Sequence, residues 1–153
     1  MVYSLDVNAV EQRQPEVAPP LIFGEVLFDV FPDRTRVLGG APFNVAWNLQ
    51  GLGCAPLFLS AVGDDESGRE VRLRMREWGM DDRALQIANA PTGSVRVQVA
   101  DGQPSYEILD HQAYDQVSVP DFAVSSADFS LLYVGSLAFR HKATRATLQK
   151  LIT

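Results

Sequence analysis

Apolar residues run unbroken through Leu21-Ile22-Phe23 and return at Val26-Leu27-Phe28 and Val30. Leu21–Val30 is therefore predicted as one strand, covered on both sheet faces in its first half. Pro32-Asp33-Arg34 marks a turn. Phe43–Leu52 carries Val45, Leu49 and Leu52 at helical spacing, with Pro42 suited to the first helical turn and Gly51 and Gly53 to the end. Pro56–Val62 is a second apolar strand. Ser67–Trp78 predicts a second helix with a buried stripe of Val71, Met75 and Trp78. Arg69, Arg72, Arg74 and Arg76 form its solvated face, and Gly79 caps its end. Strand, helix, strand, helix with short joins predicts a parallel α/β sheet with right-handed crossovers.

The pattern then changes. Gly93–Val99 alternates apolar and polar residues, the period of a half-buried strand. Asp101-Gly102 signals a hairpin turn, and Ser105–Leu109 returns from it. This hairpin is expected to be an antiparallel flap inserted into the α/β order. Phe129–Val134 is predicted as another buried strand and Lys142–Ile152 as another helix. Residues 1–20 are polar, non-periodic and end in Pro19-Pro20, so they read as a partly disordered extension.

The chain has 153 residues, the size of about one domain, with 46% hydrophobic and 21% charged residues. That composition argues against a disordered chain. Thirteen basic and nineteen acidic residues leave a net charge of −6. Such a balance, without a dense Lys/Arg run, does not suit nucleic acid or an anionic membrane. The longest apolar stretch, Leu21–Phe31, contains Glu25 and Asp29 and is too short to span a bilayer. No signal-peptide pattern is visible at the N-terminus, so a cytoplasmic protein is expected. The single cysteine, Cys54, excludes an internal disulfide and is expected to be a small buried residue. His111 and His141 are far apart in sequence, without a partner at ligand spacing, and no metal site is expected.

Two segments carry candidate chemistry. In Gly39-Gly40-Ala41-Pro42-Phe43-Asn44, paired glycines before a helix let a ligand approach the backbone, and first-turn N–H groups point towards it. Asn44 adds a donor and acceptors, and Asp29 an acceptor able to hold two hydroxyls. This set suits a polyhydroxyl ligand such as a sugar. It is also compatible with a plain turn and cap, or with phosphate binding at the helix N-terminus. Neither a Gly-x-x-x-x-Gly-Lys-Ser/Thr loop nor a Gly-x-Gly-x-x-Gly after the first strand is present. In Gly63-Asp64-Asp65-Glu66-Ser67-Gly68 the acids can bind a divalent cation or cap the next helix, and the cap is favoured.

These residues carry a resemblance. Gly24-Glu25-Val26-Leu27-Phe28-Asp29, Gly39–Ala46 with Leu52-Gly53, Val62–Gly68, Gly79-Met80-Asp81, Pro91-Thr92-Gly93 and Gly135-Ser136-Leu137 stand in the order and spacing of the ribokinase-like (PfkB) carbohydrate kinases, which the chain resembles, in their fructokinase-like branch. The resemblance covers about residues 20–152. It implies a ribokinase-like α/β fold: a parallel sheet flanked by helices with an inserted antiparallel β lid, here as an incomplete domain. Residues 1–20 would be the extension and 21–153 the N-terminal part of the kinase domain, with lid strands at about 30–38 and 92–109. By the resemblance, Asp29, Gly39, Gly40 and Asn44 bind the hydroxyls of a sugar, fructose or a related one, and the lid can pair with that of a second subunit. Thr92 and Gly93 open a lid strand, and Phe43 replaces a residue that is commonly small.

The family's second signature, a Gly-Ala-Gly-Asp segment with the general base and anion hole, does not occur in these 153 residues. The resemblance therefore implies ATP and Mg2+ for a full-length kinase, but no catalytic, cofactor-binding or metal-binding residue in this chain. The chain alone is expected to be inactive. Uncovered apolar surface at an open sheet edge is expected to make it associate. The alternative is a non-catalytic sugar-binding or dimerisation protein derived from the family.

Overall fold

A computed structural model describes residues 18–100, 103–120 and 127–152. Two four-stranded sheets organise them. The first has the order β5-β4-β1-β8, with β1 Leu21–Phe23, β4 Leu57–Gly63, β5 Leu85–Ala88 and β8 Leu132–Val134, all parallel. The second has the order β3-β2-β6-β7, with β2 Leu27–Val30, β3 Arg36–Gly39, β6 Gly93–Ala100 and β7 Gln103–Ile108. Within it β2 and β6 are parallel and the other pairs antiparallel. Three helices, α1 Ala41–Gly51, α2 Glu66–Glu77 and α3 Lys142–Leu151, complete the layers.

The central strands of the first sheet, β1 and β4, are buried at every position, and Ser60 is their one polar side chain, so the sheet is covered on both faces there. Ile22, Phe58 and Val62 face Phe43, Ala46, Val71 and Met75 of α1 and α2. Leu21, Phe23, Leu57 and Leu59 face Ala113, Val117 and Leu151 on the other side. Each large side chain buried here contributes about 1.5–3 kcal/mol.

The predicted strand Leu21–Val30 is two strands in different sheets. Gly24 has φ 148°, and a Cβ there would lie 2.4 Å from Cγ of Pro42, so the chain turns out of the first sheet where α1 begins. Hydrophobic alternation does not register such a break, because Val26 is as buried as the strands it separates. In α1 the buried residues are Pro42, Phe43 and Ala46; Leu52 is 78% exposed, because the helix turns a different stripe to the core. Trp78 is partly exposed and stacks on Trp47 at 5.2 Å between centroids. Cys54 is exposed, in the turn after α1, instead of buried. The strand predicted over Phe129–Val134 shrinks to β8, which is only half-buried because it is a sheet edge.

The β6–β7 hairpin matches the alternation. Val95 and Val97 are buried, Arg96 and Gln98 exposed, and Ala100 pairs with Gln103. Its turn, Asp101-Gly102, and the extension over residues 1–17 lie outside the described residues.

Candidate functional site

The second sheet brings Asp29 and Gly39 together. Asp29 on β2 pairs with Val37 of β3, and Leu27 pairs with Gly39, so Asp29 and Gly39 share a face of adjacent strands. A Cβ on Gly39 would sit 3.6 Å from Oδ2 of Asp29. The missing side chain leaves the space beside the carboxylate open. The Asp29 carboxylate has no hydrogen-bond partner among the described residues, and partial burial raises its pKa.

Gly40 is the residue before α1 and has φ 110°. A Cβ there would lie 2.6 Å from the Glu25 carbonyl oxygen. Backbone conformation and close approach thus both require glycine. One turn on, the Asn44 backbone N–H donates to the Gly40 carbonyl at 2.9 Å. The Asn44 side chain is exposed and its carboxamide has no protein partner among the described residues. It lines a cavity of about 120 Å³ with Leu38, Phe43, Trp47 and Arg74. Leu38 leaves β3 on the face opposite Gly39. The fold thus brings Asp29 and Gly39 together, whereas Asn44, in the first turn of α1, lines a cavity that neither of them lines.

Glu25 is a buried acid beside this region that was not among the residues expected to carry chemistry. It lies between β1 and β2, only 5% exposed. The backbone N–H groups of Ala41 and Ala138, at the starts of α1 and of the short helix Leu137–Arg140, face its carboxylate and favour its charged form. This alters the expected chemistry at α1. The Ala41 N–H faces Glu25 and Pro42 has none, so the helix start does not offer a bare anion site. Burial raises the pKa of Glu25, and those backbone donors offset the rise only in part. Oε2 of Glu25 has no hydrogen-bond partner among the described residues, and a Cβ on Gly135 would fall 2.7 Å from it. A second buried orphan, the Tyr114 hydroxyl, feels the Glu25 charge and is pushed up to about 12, mainly by burial. Tyr114 packs with Leu27 and Val95 on the two strands that hold Asp29's position. The signal available in the sequence was an acid inside an apolar run.

Gly63–Gly68 is a tie, not a cation site. Asp65 caps α2 by accepting from the Gly68 N–H at 2.7 Å. It also accepts from the Thr92 hydroxyl at 2.6 Å and the Thr92 N–H at 2.8 Å, so both oxygens are engaged. The Thr92 hydroxyl in turn accepts from the Gly63 N–H at 2.9 Å. Thr92 and Gly93 thus anchor the start of β6. A Cβ on Gly93 would meet the Val26 carbonyl oxygen at 2.5 Å and the Tyr114 ring at 2.7 Å.

Comparison with known proteins adds to this geometry. The profile of the pfkB family carbohydrate kinases matches residues 18–152. The chain is 29% identical over 132 residues to the fructokinase of Klebsiella pneumoniae, covering 82% of this chain and 43% of that protein. It is 25% identical over 130 residues to the aminoimidazole riboside kinase of Salmonella typhimurium, covering 81% and 41% respectively. The fold is similar to that of the fructokinase of Halothermothrix orenii (TM-score 0.77, 21% identity, 87% of this chain and 51% of that one). It is also similar to that of the apo fructokinase of Vibrio cholerae O395 (TM-score 0.75, 23% identity, 88% and 48%). The chain spans less than half the length of these two relatives.

Proposed function

The chain belongs to the pfkB family of carbohydrate kinases, and on that premise we propose that it forms the sugar side of an ATP-dependent sugar kinase, with fructose or a close relative as acceptor. The observation that carries this reading is the Asp29 carboxylate: partnerless among the described residues, partly desolvated, and open on the side where Gly39 has no Cβ. A carboxylate in that state gains by accepting hydrogen bonds from paired hydroxyls. Gly39 and Gly40 bring the backbone close to the ligand; the Asn44 carboxamide, in the separate cavity beside Leu38, is the weaker member of the proposed set. The fructokinases among the relatives support a ketose over other sugars.

The second sheet, β2–β3 with β6–β7, is the lid of this reading. Its outer strand β7 is exposed throughout, with Tyr106 and Ile108 on it, and we assign it to pairing with a second copy. Phosphoryl transfer needs positioned charge around the γ-phosphate. The residues described do not fit ATP or Mg2+: at the start of α1 the Ala41 N–H faces Glu25 and Pro42 has none, and at α2 Asp65 is engaged by Thr92 and Gly68, while Asp64 lies exposed beside Arg69. No transfer step is therefore derived from these residues, and the activity belongs to the protein with its phosphate-binding part. No helix among the described residues is long and apolar enough to cross a membrane. A kinase supplied with ATP is assigned to the cytoplasm.

The test is calorimetric titration of fructose, ribose and a keto-deoxy sugar acid into the chain and into Asp29→Asn. Fructose heat that disappears in Asp29→Asn supports the reading. Equal fructose binding by both proteins overturns it.

A further inference from the structure

Asp110 and His111 follow directly on β7, and His141 is the residue before α3. The fold brings these distant segments together. His141 Nε2 lies 2.8 Å from Oδ1 of Asp110, and His111 Nε2 lies 3.5 Å from Oδ2. The two imidazole rings are 5.5 Å apart between centroids. One ligand atom from each of the three residues can be chosen so that all lie within 4.8 Å of one another. Two ligands of a tetrahedral zinc ion, each about 2.0–2.2 Å from the metal, stand roughly 3.2–3.6 Å apart. The His111–Asp110 separation of 3.5 Å falls in that range, and the His141–Asp110 separation of 2.8 Å is a hydrogen bond that has to lengthen by about half an ångström to admit an ion.

The chemistry of the set is specific. Two imidazole nitrogens and one carboxylate suit zinc, cobalt or nickel better than magnesium or calcium, which take oxygen ligands. Oδ1 of Asp110 accepts from the His111 backbone N–H at 3.0 Å and meets His141 Nε2 at 2.8 Å, which leaves Oδ2 as the oxygen open to an ion. Arg140, the nearest cation, is committed to Asp115 at 2.6 and 2.8 Å and to the Leu109 carbonyl, and stands 3.8 Å from Asp110. Asp115, with its side chain 3% exposed, lies 3.6 Å from His141 Nε2 and supplies a second negative charge beside the cluster. Asp110, Asp115 and Arg140 together leave one negative charge facing two histidines. His111 stands at φ 55°, in the left-handed region that His, like Asn and Asp, enters more readily than other non-glycine residues.

We propose that Asp110, His111 and His141 form a binding site for a zinc-type divalent transition-metal ion, with water completing the coordination. The sequence reading excluded a metal because the histidines are not neighbours in the chain; the β7 exit and the α3 start make them neighbours in space. A bound ion joins the end of the β6–β7 hairpin to the first turn of α3. Because the metal displaces protons from its ligands, binding weakens as pH falls.

The test uses the full chain, freed of metal with a chelator and titrated with zinc chloride by calorimetry and with cobalt chloride by visible absorption. One ion per chain is expected, with cobalt ligand-field bands and no thiolate charge-transfer band. His111→Gln changes an exposed side chain, and His141 makes no side-chain cap bond to α3, so His141→Gln also leaves the helix start intact. Each is expected to lower zinc affinity by at least about tenfold, the loss that removal of even an outer-shell partner brings. Cys54→Ser is expected to leave it unchanged. Absence of stoichiometric binding, unchanged affinity in the double variant His111→Gln/His141→Gln, or loss of binding in Cys54→Ser each overturns the site.

Discussion

The Asp65 carboxylate holds Thr92 by two hydrogen bonds, from the backbone N–H at 2.8 Å and from the hydroxyl at 2.6 Å. The contact ties the start of α2 to the start of β6, and so links the α/β layer to the second sheet. Asp65→Ala removes these bonds and the cap on Gly68 together, and is expected to destabilise the fold by about 2–4 kcal/mol. Burial alone would raise the Asp65 pKa; the hydrogen bonds from Thr92 and Gly68 and the Arg69 charge outweigh it and lower the value. The stabilisation is therefore complete above the ordinary value of 3.8 and is lost as pH falls through the depressed one. Denaturant unfolding from pH 5 downwards checks this: the parent should lose stability faster than Asp65→Ala. Parallel curves for the two proteins would show that the tie contributes nothing.

Gly39 and Gly40 are neighbours with opposite tolerances. Gly40→Ala places a methyl group at φ 110° and 2.6 Å from the Glu25 carbonyl. It is expected to cost about 1–3 kcal/mol. Gly39→Ala meets only Oδ2 of Asp29, at 3.6 Å, an ordinary contact. It should unfold like the parent yet lose sugar affinity, because its methyl fills the space beside the carboxylate. Thermal melts and fructose titration of both variants separate the two roles.

The strand–helix order and the hairpin were legible because each has its own hydrophobic period. The need for glycine at Gly40 was legible because paired glycines before a helix mark a close backbone approach, which its φ of 110° and the nearby Glu25 carbonyl bear out. Glu25 was not legible: its partners, Ala41 and Ala138, meet it only after the chain turns at Gly24 and the short helix Leu137–Arg140 docks. The histidine cluster was hidden for the same reason. Leu52 and Cys54 misled because residue type says less about burial than the phase of one short helix does.

Glu25 is therefore expected to matter more for stability than its surface-like chemistry suggests. Glu25→Ala leaves two helix-start N–H groups without an acceptor and opens a void, at a cost of about 2–4 kcal/mol. Glu25→Gln keeps an acceptor and should cost less. Because burial raises the pKa of Glu25, its contribution is complete below the ordinary value of 4.5 and declines as pH rises through the raised one. The stability of the parent relative to Glu25→Gln should thus fall between acid and neutral pH. A constant difference across that range would remove the desolvated-carboxylate account.

Asp29 makes the sharpest separation between binding and folding. It donates to nothing and accepts nothing among the described residues, and partial burial works against its charge. Its raised pKa means that its contribution to stability is complete below the ordinary value of 3.8 and is lost as pH rises through the folded value. Asp29→Asn removes a charge that the fold does not use, so the melting temperature at neutral pH should stay level or rise slightly. Sugar binding should move the other way: hydrogen bonds to a charged acceptor contribute about 1.5–3 kcal/mol, so affinity should drop roughly tenfold to 150-fold. Melting and titration of the same sample decide it. A variant that loses stability and affinity together would make Asp29 a structural residue, because the lost binding would then follow from the damaged fold; affinity lost at unchanged stability places the effect at the ligand.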